Sequence, residues 1–143
     1  KTLDLARPYI GAIAVGVAQR GLDEAVKYSK ERVQFGKPIA RLQAIQFKLA
    51  DMQIKIETAR QMVSHTFDLV EAGLPYNKEA AIAKAYAGDI AMEVSSEAIQ
   101  VLAGYGYSRE YPVEKLLRDA KIFQIFEGTN EIQRVVIAGN LLR

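Results

Sequence analysis

Hydrophobic residues recur at helical spacing along most of the chain. The clearest series steps by three and four residues and predicts a long amphipathic helix; its members are Leu42, Ile45, Leu49, Met52, Ile56, Ala59 and Val63. The helix should continue to about Ala72, because Gly73-Leu74-Pro75 is typical of a helix end. At ~1.5 Å per residue it would be about 45 Å long.

Shorter series predict the remaining helices. A first helix is expected over 8–33, ended by Phe35-Gly36-Lys37-Pro38. A third follows Asn77 as its N-cap and carries apolar residues four apart: Ile82, Tyr86, Ile90, Val94 and Ala98. Gly104 and Gly106 should break it.

Two further helices complete the pattern. A short one has Pro112 in its first turn, and a last one begins near Thr129 or Asn130 with an apolar stripe of Ile132, Val135 and Val136. No segment shows a sustained period of two, so no strand is expected. The sequence therefore predicts an all-α, up-and-down four-helix bundle with an additional short helix, forming one domain over residues 1–143.

The composition argues against several classes of function. The 143 residues are 50% hydrophobic and 25% charged, which is typical of one globular domain. A net charge of +2 gives no support for nucleic-acid binding. The chain has no cysteine, and its one histidine, His65, cannot build a metal cluster. Neither a membrane span nor a signal peptide is expected. Because the chain begins at Lys1 rather than Met, we expect it to be a piece or a processed product.

The most informative run is Ile125-Phe126-Glu127-Gly128-Thr129-Asn130. It places a carboxylate beside bulky apolar residues, where the pKa of a carboxyl group rises towards that of a useful base. Gly128 would allow close approach of backbone or ligand. The alternative is an ordinary acid near a helix N-terminus, stabilised by the helix dipole.

This run resembles the catalytic segment of the acyl-CoA dehydrogenases, which reads aromatic-Glu-Gly-Thr and continues to Ile-Gln-Arg. Four further segments resemble the same family in order and in spacing: Glu31-Arg32 with Phe35-Gly36, Gln100 to Tyr107, Tyr111 to Lys115, and Arg118 to Ile122. The resemblance covers essentially all of the chain and identifies it as the carboxy-terminal helical domain of a longer flavoenzyme.

The resemblance implies an FAD-dependent α,β-dehydrogenation of an acyl-CoA thioester. Glu127 matches the general base that removes the α-proton. Its backbone N–H would donate to the thioester carbonyl together with the FAD ribityl chain, and such donors can each supply about 3–4 kcal/mol. The β-hydrogen would leave as hydride to the flavin. Phe126 would pack against thioester or flavin, and Gly128 would leave room for them.

Some family members carry the glutamate just before an arginine near the start of this domain. The matching segment here is Asp4-Leu5-Ala6-Arg7, so Ala6 occupies that position and cannot act as a base. This favours the commoner branch over the branched- and long-chain types. Asp4 and Arg7 match positions that contact the CoA portion; without the family they would be a helix-start acid and a solvated arginine.

The resemblance assigns seven positions to FAD: Arg32, Phe35, Gln43, Gln100, Gly104, Thr129 and Glu131. Arg32 suits the pyrophosphate, because a guanidinium is always charged and forks onto phosphate oxygens, although it could equally be a cation at a helix C-terminus. Gln100 and Gly104 would serve the adenosine end, and Gly104 could also cap a helix. Phe35 could be a core residue or a cofactor wall.

The closest likeness within the family is to the short-chain or butyryl type, carried by Leu42 to Met52 and Ile137 to Arg143. The resemblance also implies fatty acid metabolism, electron-transferring flavoprotein as electron acceptor, and a homotetramer, a dimer of dimers, with FAD between subunits. The compartment would be the cytoplasm of a bacterium or the mitochondrial matrix of a eukaryote. The isolated domain is expected to be inactive. Two alternatives stay open: a non-catalytic oligomerisation bundle and an acyl-CoA oxidase.

Overall fold

The computed structural model describes residues 2–143, in which six α-helices dominate. They are α1 (Thr2–Glu31), α2 (Gln43–Glu71), α3 (Asn77–Leu102), α4 (Gly104–Tyr107), α5 (Val113–Ile122) and α6 (Asn130–Leu141). A short antiparallel hairpin, β1 (Val33–Gln34) and β2 (Lys37–Pro38), and a 3-10 turn over Ile39–Arg41 join α1 to α2. The expected all-α bundle is confirmed, with two short helices, α4 and α5, where one additional short helix was expected.

Helix α3 lies at the centre and packs against each of the other five helices. The sequence of α3 permits this, because the helix is rich in small residues that let neighbouring backbones approach closely. The buried ones include Ala80, Ala81, Ala83, Ala87, Gly88, Ala91 and Ala98. The predicted α2 series is also confirmed in its middle: Met52, Ile56, Ala59 and Val63 are buried against this core.

The expectation of no strand is wrong at the α1–α2 connection. Val33 pairs with Pro38, and Gln34 pairs with Lys37. The two turn residues, Phe35 and Gly36, have φ of +52° and +75°, which is the backbone of a two-residue hairpin turn. Two residue pairs are too few to produce a recognisable alternation in the sequence.

Two helix starts also differ from expectation. Helix α1 begins at Thr2 rather than residue 8, with Pro8 inside it. Its first turns are held by ion pairing of Arg7 with Asp4 at 2.8 Å and by the Asn77 side chain, which donates to Asp4 Oδ1 at 2.7 Å. Asn77 therefore bridges helices as the first residue of α3 instead of capping it; the N-cap is Tyr76, which makes no side-chain bond.

The stripe on α6 faces away from the bundle. Ile132 and Val135 are 50% and 66% exposed, whereas the buried residues of this helix are Asn130 and Gln133. The reason is chemical: the Gln133 amide donates to the Gly128 carbonyl of the preceding loop, and the Asn130 amide donates to the Ala85 carbonyl of α3. These hydrogen bonds turn the polar side of α6 inward.

Candidate functional site

The loop between α5 and α6 holds Glu127 in an unusual backbone conformation. Its φ is +54°, in the left-handed region that a non-glycine residue adopts rarely, and Gly128 follows at +88°. Glu127 is half-buried, and its backbone N–H donates no hydrogen bond within residues 2–143. Such strain is retained at functional sites when surrounding contacts fix it.

A buried lysine fixes this loop from the central helix. Lys84 on α3 has no exposed surface, and its ammonium donates to the Gly128 carbonyl at 2.7 Å and to Asn130 Oδ1 at 2.9 Å. Gln133 adds a second donor to the same Gly128 carbonyl at 3.0 Å. The φ of Gly128 favours glycine, and an added Cβ would lie 2.8 Å from Gln133 Nε2, so the Gln133 amide would have to shift.

Asp89 extends the network along α3. Its carboxylate accepts hydrogen bonds from Gln124, Asn130 and Arg134, each at 2.8 Å. Burial alone would raise the pKa of Asp89, but these donors, led by Arg134, lower it overall, so the group stays ionised. The amide of Asn130 also donates to the Ala85 carbonyl at 3.0 Å. The start of α6 is therefore tied to α3 at several points.

Burial lowers the pKa of Lys84 to about 8, while Asp89, Glu131 and Glu127 oppose the shift and Arg7 adds to it. At neutral pH the amine therefore stays mostly protonated and keeps its donors. Arg7 and Glu127, two of the predicted site residues, are thus both among the charges that act on the Lys84 ammonium. Arg7 itself is buried beside Asp4, not solvated.

Three further residues predicted for the site, Thr129, Glu131 and Phe126, lie beside Glu127 in the sequence. Thr129 is the N-cap of α6 and accepts from the Ile132 N–H, as expected for a helix starting there. Glu131 lies in the first turn, where its own backbone N–H and the Thr129 side chain lower its pKa. Phe126 packs against Phe123, with ring centroids 5.9 Å apart.

A second site is a groove of about 470 Å³ at the far end of α3. It is lined by Tyr28, Arg32, Gln34, Ile39, Val101, Leu102, Ala103, Gly104 and Tyr105. The Arg32 guanidinium lies 5.6 Å from the centroid of the Tyr105 ring and makes no ion pair with a carboxylate within residues 2–143. A cation over an aromatic face, with no counter-ion, is suited to an anionic ligand.

The groove wall contains further backbone strain. Ala103, which ends α3, has φ +54° and ψ −135°, so this alanine and not Gly104 takes the unusual cap conformation. Gly104 instead opens α4, and a Cβ on it would meet nothing within 4 Å. The open space beside Gly104 and the unpaired guanidinium both fit the phosphate and adenosine portion of a dinucleotide.

The other predicted cofactor residues are dispersed. Gln43 and Gln100 are exposed, and neither lines the groove. Phe35 is 87% exposed at the hairpin tip, so it is not a core residue.

The predicted cofactor residues thus form two sets. Arg32 and Gly104 lie at the C-terminal end of α3, whereas Thr129 and Glu131 lie near Lys84. Lys84 is 18 residues before Leu102, the last residue of α3, so it lies about 27 Å from that end at ~1.5 Å per residue. Thr129 and Glu131 border a separate polar groove of about 360 Å³ with Asp89 and Arg134.

Sequence reasoning did not identify Lys84, Asp89, Asn130 or Gln133 as functional. A lysine on a helix is normally solvated. The signal that could have found Lys84 is its setting, because small residues occupy 80, 81, 83, 85, 87 and 88 and leave it no exposed face. His65 lies exposed on α2. In residues 2–143 there is no helix able to cross a membrane and no cluster of three or more metal-ligating side chains.

Comparison with known proteins gives consistent matches. Residues 1–142 match the family model described as acyl-CoA dehydrogenase, C-terminal domain. The short-chain specific acyl-CoA dehydrogenase of Megasphaera elsdenii is 54% identical over 142 residues, and the solved butyryl-CoA dehydrogenase of that organism superposes with a TM-score of 0.98, covering 99% of this chain and 37% of that one.

Two other solved structures are informative. A chain in the structure presented as the electron transferring flavoprotein of Acidaminococcus fermentans is 51% identical with a TM-score of 0.98, covering 99% of this chain and 37% of that one. The structure of PigA with FAD and proline is 29% identical with a TM-score of 0.93, covering 97% and 36%. The chain spans little more than a third of the length of these relatives.

Proposed function

The chain belongs to the acyl-CoA dehydrogenase family, and we propose that it works as the carboxy-terminal domain of a longer flavoenzyme that introduces a Cα–Cβ double bond into acyl-CoA thioesters. The observation that carries the proposal is the conformation of Glu127. A half-buried carboxylate on a strained, firmly held loop, with its own backbone N–H left unpaired, is suited to proton abstraction next to a carbonyl. A non-catalytic bundle would have no use for this strain.

Glu127 has two roles in this proposal. Its carboxylate takes the α-proton, and the electrons of the broken C–H bond form the double bond as the β-hydrogen leaves with its electron pair. Its backbone N–H donates to the thioester oxygen, on which negative charge develops, so that one residue supplies both base and oxyanion donor. The bonds from Lys84 and Gln133 hold the loop in place during this step.

The proposed cofactor is FAD, which when bound would accept the hydride. Arg32, Gly104 and the strained Ala103 would hold its phosphate and adenosine portion at the groove. Thr129 and Glu131 lie too far from that groove to contact the same portion of one cofactor. This separation supports the idea that the two sets serve FAD molecules shared between subunits of an oligomer.

The substrate proposed is a short-chain acyl-CoA, since the relatives matched over 99% of this chain include a butyryl-CoA dehydrogenase. Electron-transferring flavoprotein is the proposed acceptor. The outward apolar residues of α6 support burial of this face in a larger assembly, for which we propose a homotetramer. The test of the function is direct: the full-length protein, loaded with FAD and mixed anaerobically with butyryl-CoA, should bleach its flavin absorbance and form the 2-enoyl thioester.

The isolated chain is expected to bind FAD weakly and to have no dehydrogenase activity. Residues of this domain would supply only part of the contacts to each FAD molecule, so most of the binding free energy would be missing. Gel filtration of the chain with excess FAD, followed by absorbance of the protein peak, measures retention. Stoichiometric flavin in that peak would contradict the expectation.

Arg32→Ala in the full-length protein is expected to weaken FAD retention by about 10- to 100-fold, because a charge-assisted bond contributes roughly 1.5–3 kcal/mol. The rate of flavin reduction in molecules that keep FAD should change little, since the guanidinium lies far from Glu127. Equilibrium dialysis and stopped-flow absorbance separate the two effects. Arg41→Ala is the matched control, because Arg41 is exposed and does not line the groove. Equal losses in both variants would remove Arg32 from the cofactor site.

A further inference from the structure

Lys84 is a buried cation that has no carboxylate partner within the described part of the chain. Its hydrogen-bond acceptors are a backbone carbonyl and an amide oxygen, those of Gly128 and Asn130. Buried charges are normally paired with an opposite charge, because leaving water is unfavourable. Asp89, Glu131 and Glu127 act on this ammonium without a direct ion pair, so its direct contacts are the hydrogen bonds to the loop between α5 and α6 and to the start of α6.

The Gly128 carbonyl, one of the two acceptors, indicates the role of Lys84. Glu127 and Gly128 are consecutive residues with positive φ, and the carbonyl that Lys84 holds belongs to the peptide immediately after them. Gln133 donates to the same carbonyl, but it lies on α6, the helix that directly follows this loop. Lys84 is the donor that ties this carbonyl to the central helix α3. Without it, the peptide could rotate and release Glu127 to an ordinary backbone conformation.

The packing around Asn130 also indicates that the loop is held against α3. Gly88, one turn along α3, would bring a Cβ to 3.0 Å from the Phe123 carbonyl and 3.3 Å from Asn130 Nδ2. The loop therefore lies directly on the backbone of α3, where Asn130 donates to the Ala85 carbonyl. A rigid helix and a short buried tether are what precise placement of a reacting group requires.

We propose that Lys84 is a positioning residue for Glu127: its ammonium holds the Gly128 carbonyl and so fixes where the Glu127 carboxylate and backbone N–H lie relative to the thioester. The inference rests on the proposed function, because it concerns the proton-abstraction step. Lys84 neither touches the substrate nor transfers a proton.

The test measures proton abstraction without oxidation. The probe is a 3-thia-acyl-CoA, in which sulfur replaces the β-carbon, so that the α-protons can exchange with D2O while no hydride can leave. In the full-length, FAD-loaded protein, Lys84→Met should slow this exchange by about 100-fold, the effect expected when a reacting group is displaced by about 1 Å. The Kd for the analogue and the FAD content should change by less than about threefold. Lys84→Gln, which buries no charge and keeps a donor, should slow exchange by about tenfold and replaces Lys84→Met if that variant does not fold.

Two comparisons separate the possible failures. Met52→Ala removes a buried side chain of α2 that lies beside Glu93, Val94 and Glu97 of α3, and it should leave the exchange rate near native. Native exchange in the Lys84 variants, or an equal loss in Met52→Ala, would overturn the positioning role. Glu127→Gln should abolish exchange. If it does not, the proposed function fails; if it does while the Lys84 variants exchange normally, only the positioning role fails.

Discussion

Glu127→Gln is expected to reduce flavin reduction by acyl-CoA in the full-length protein by at least the ~10²–10⁴-fold typical of general base catalysis. The amide keeps the size of the side chain and leaves the backbone N–H in place, so thioester and FAD should still bind. The bonds from Lys84 and Gln133 go to backbone carbonyls and do not involve the carboxylate, so the loop should keep its conformation. Ala6, at the alternative position, supplies no replacement base.

Stopped-flow absorbance after mixing with butyryl-CoA measures this rate, and a binding titration with the product thioester measures affinity separately. Glu114→Gln is the matched control, because Glu114 is a carboxylate of α5 paired with Arg118 and such surface pairs contribute little. Flavin reduction near the native rate in Glu127→Gln would show that another group takes the α-proton, and the placement of the active site would be wrong.

The predictable part of the fold is the part in which burial follows hydrophobicity. Met52, Ile56 and Val63 were predicted as a seam because a 3.6-residue period and apolar side chains coincide there, and the structure buries them. Helix α6 has the same period, but Ile132 and Val135 face outward. Periodicity identifies a helix and its apolar stripe; it does not say whether this chain or another surface covers that stripe.

The site was predictable only where residues resemble those of a known family. Glu127 and Arg32 were found in this way, and their cofactor and catalytic roles stay predictions. The network beneath Glu127 was not predicted, because Lys84, Asp89 and Asn130 are residue types normally found on surfaces. Their hydrogen bonds join α3 to a segment about forty positions later. The small residues around Lys84 indicate a buried lysine, but no local pattern shows which residues it would bond.

Gly106→Ala is expected to lower the free energy of unfolding of the chain by about 3 kcal/mol or more. The glycine is helical, so the reason is space and not backbone freedom. A Cβ at this position would lie 2.7 Å from the Ile99 carbonyl oxygen and 2.9 Å from Ile99 Cα. These are backbone atoms of the last turns of α3, and they cannot move aside as the end of a flexible side chain can.

Urea unfolding followed by circular dichroism measures the change. Gly16→Ala is the matched control, because Gly16 lies exposed in α1 with nothing within 4 Å of an added Cβ, and there alanine should stabilise the helix by about 0.5–1 kcal/mol. The two variants should therefore shift the unfolding midpoint in opposite directions. An unchanged midpoint for Gly106→Ala would mean that α4 does not pack this closely on α3.

The same clash bears on function, because α4 carries Gly104 and Tyr105 into the wall of the groove. A full-length Gly106→Ala protein that folds should consequently retain less FAD than Gly16→Ala, even at a urea concentration of zero.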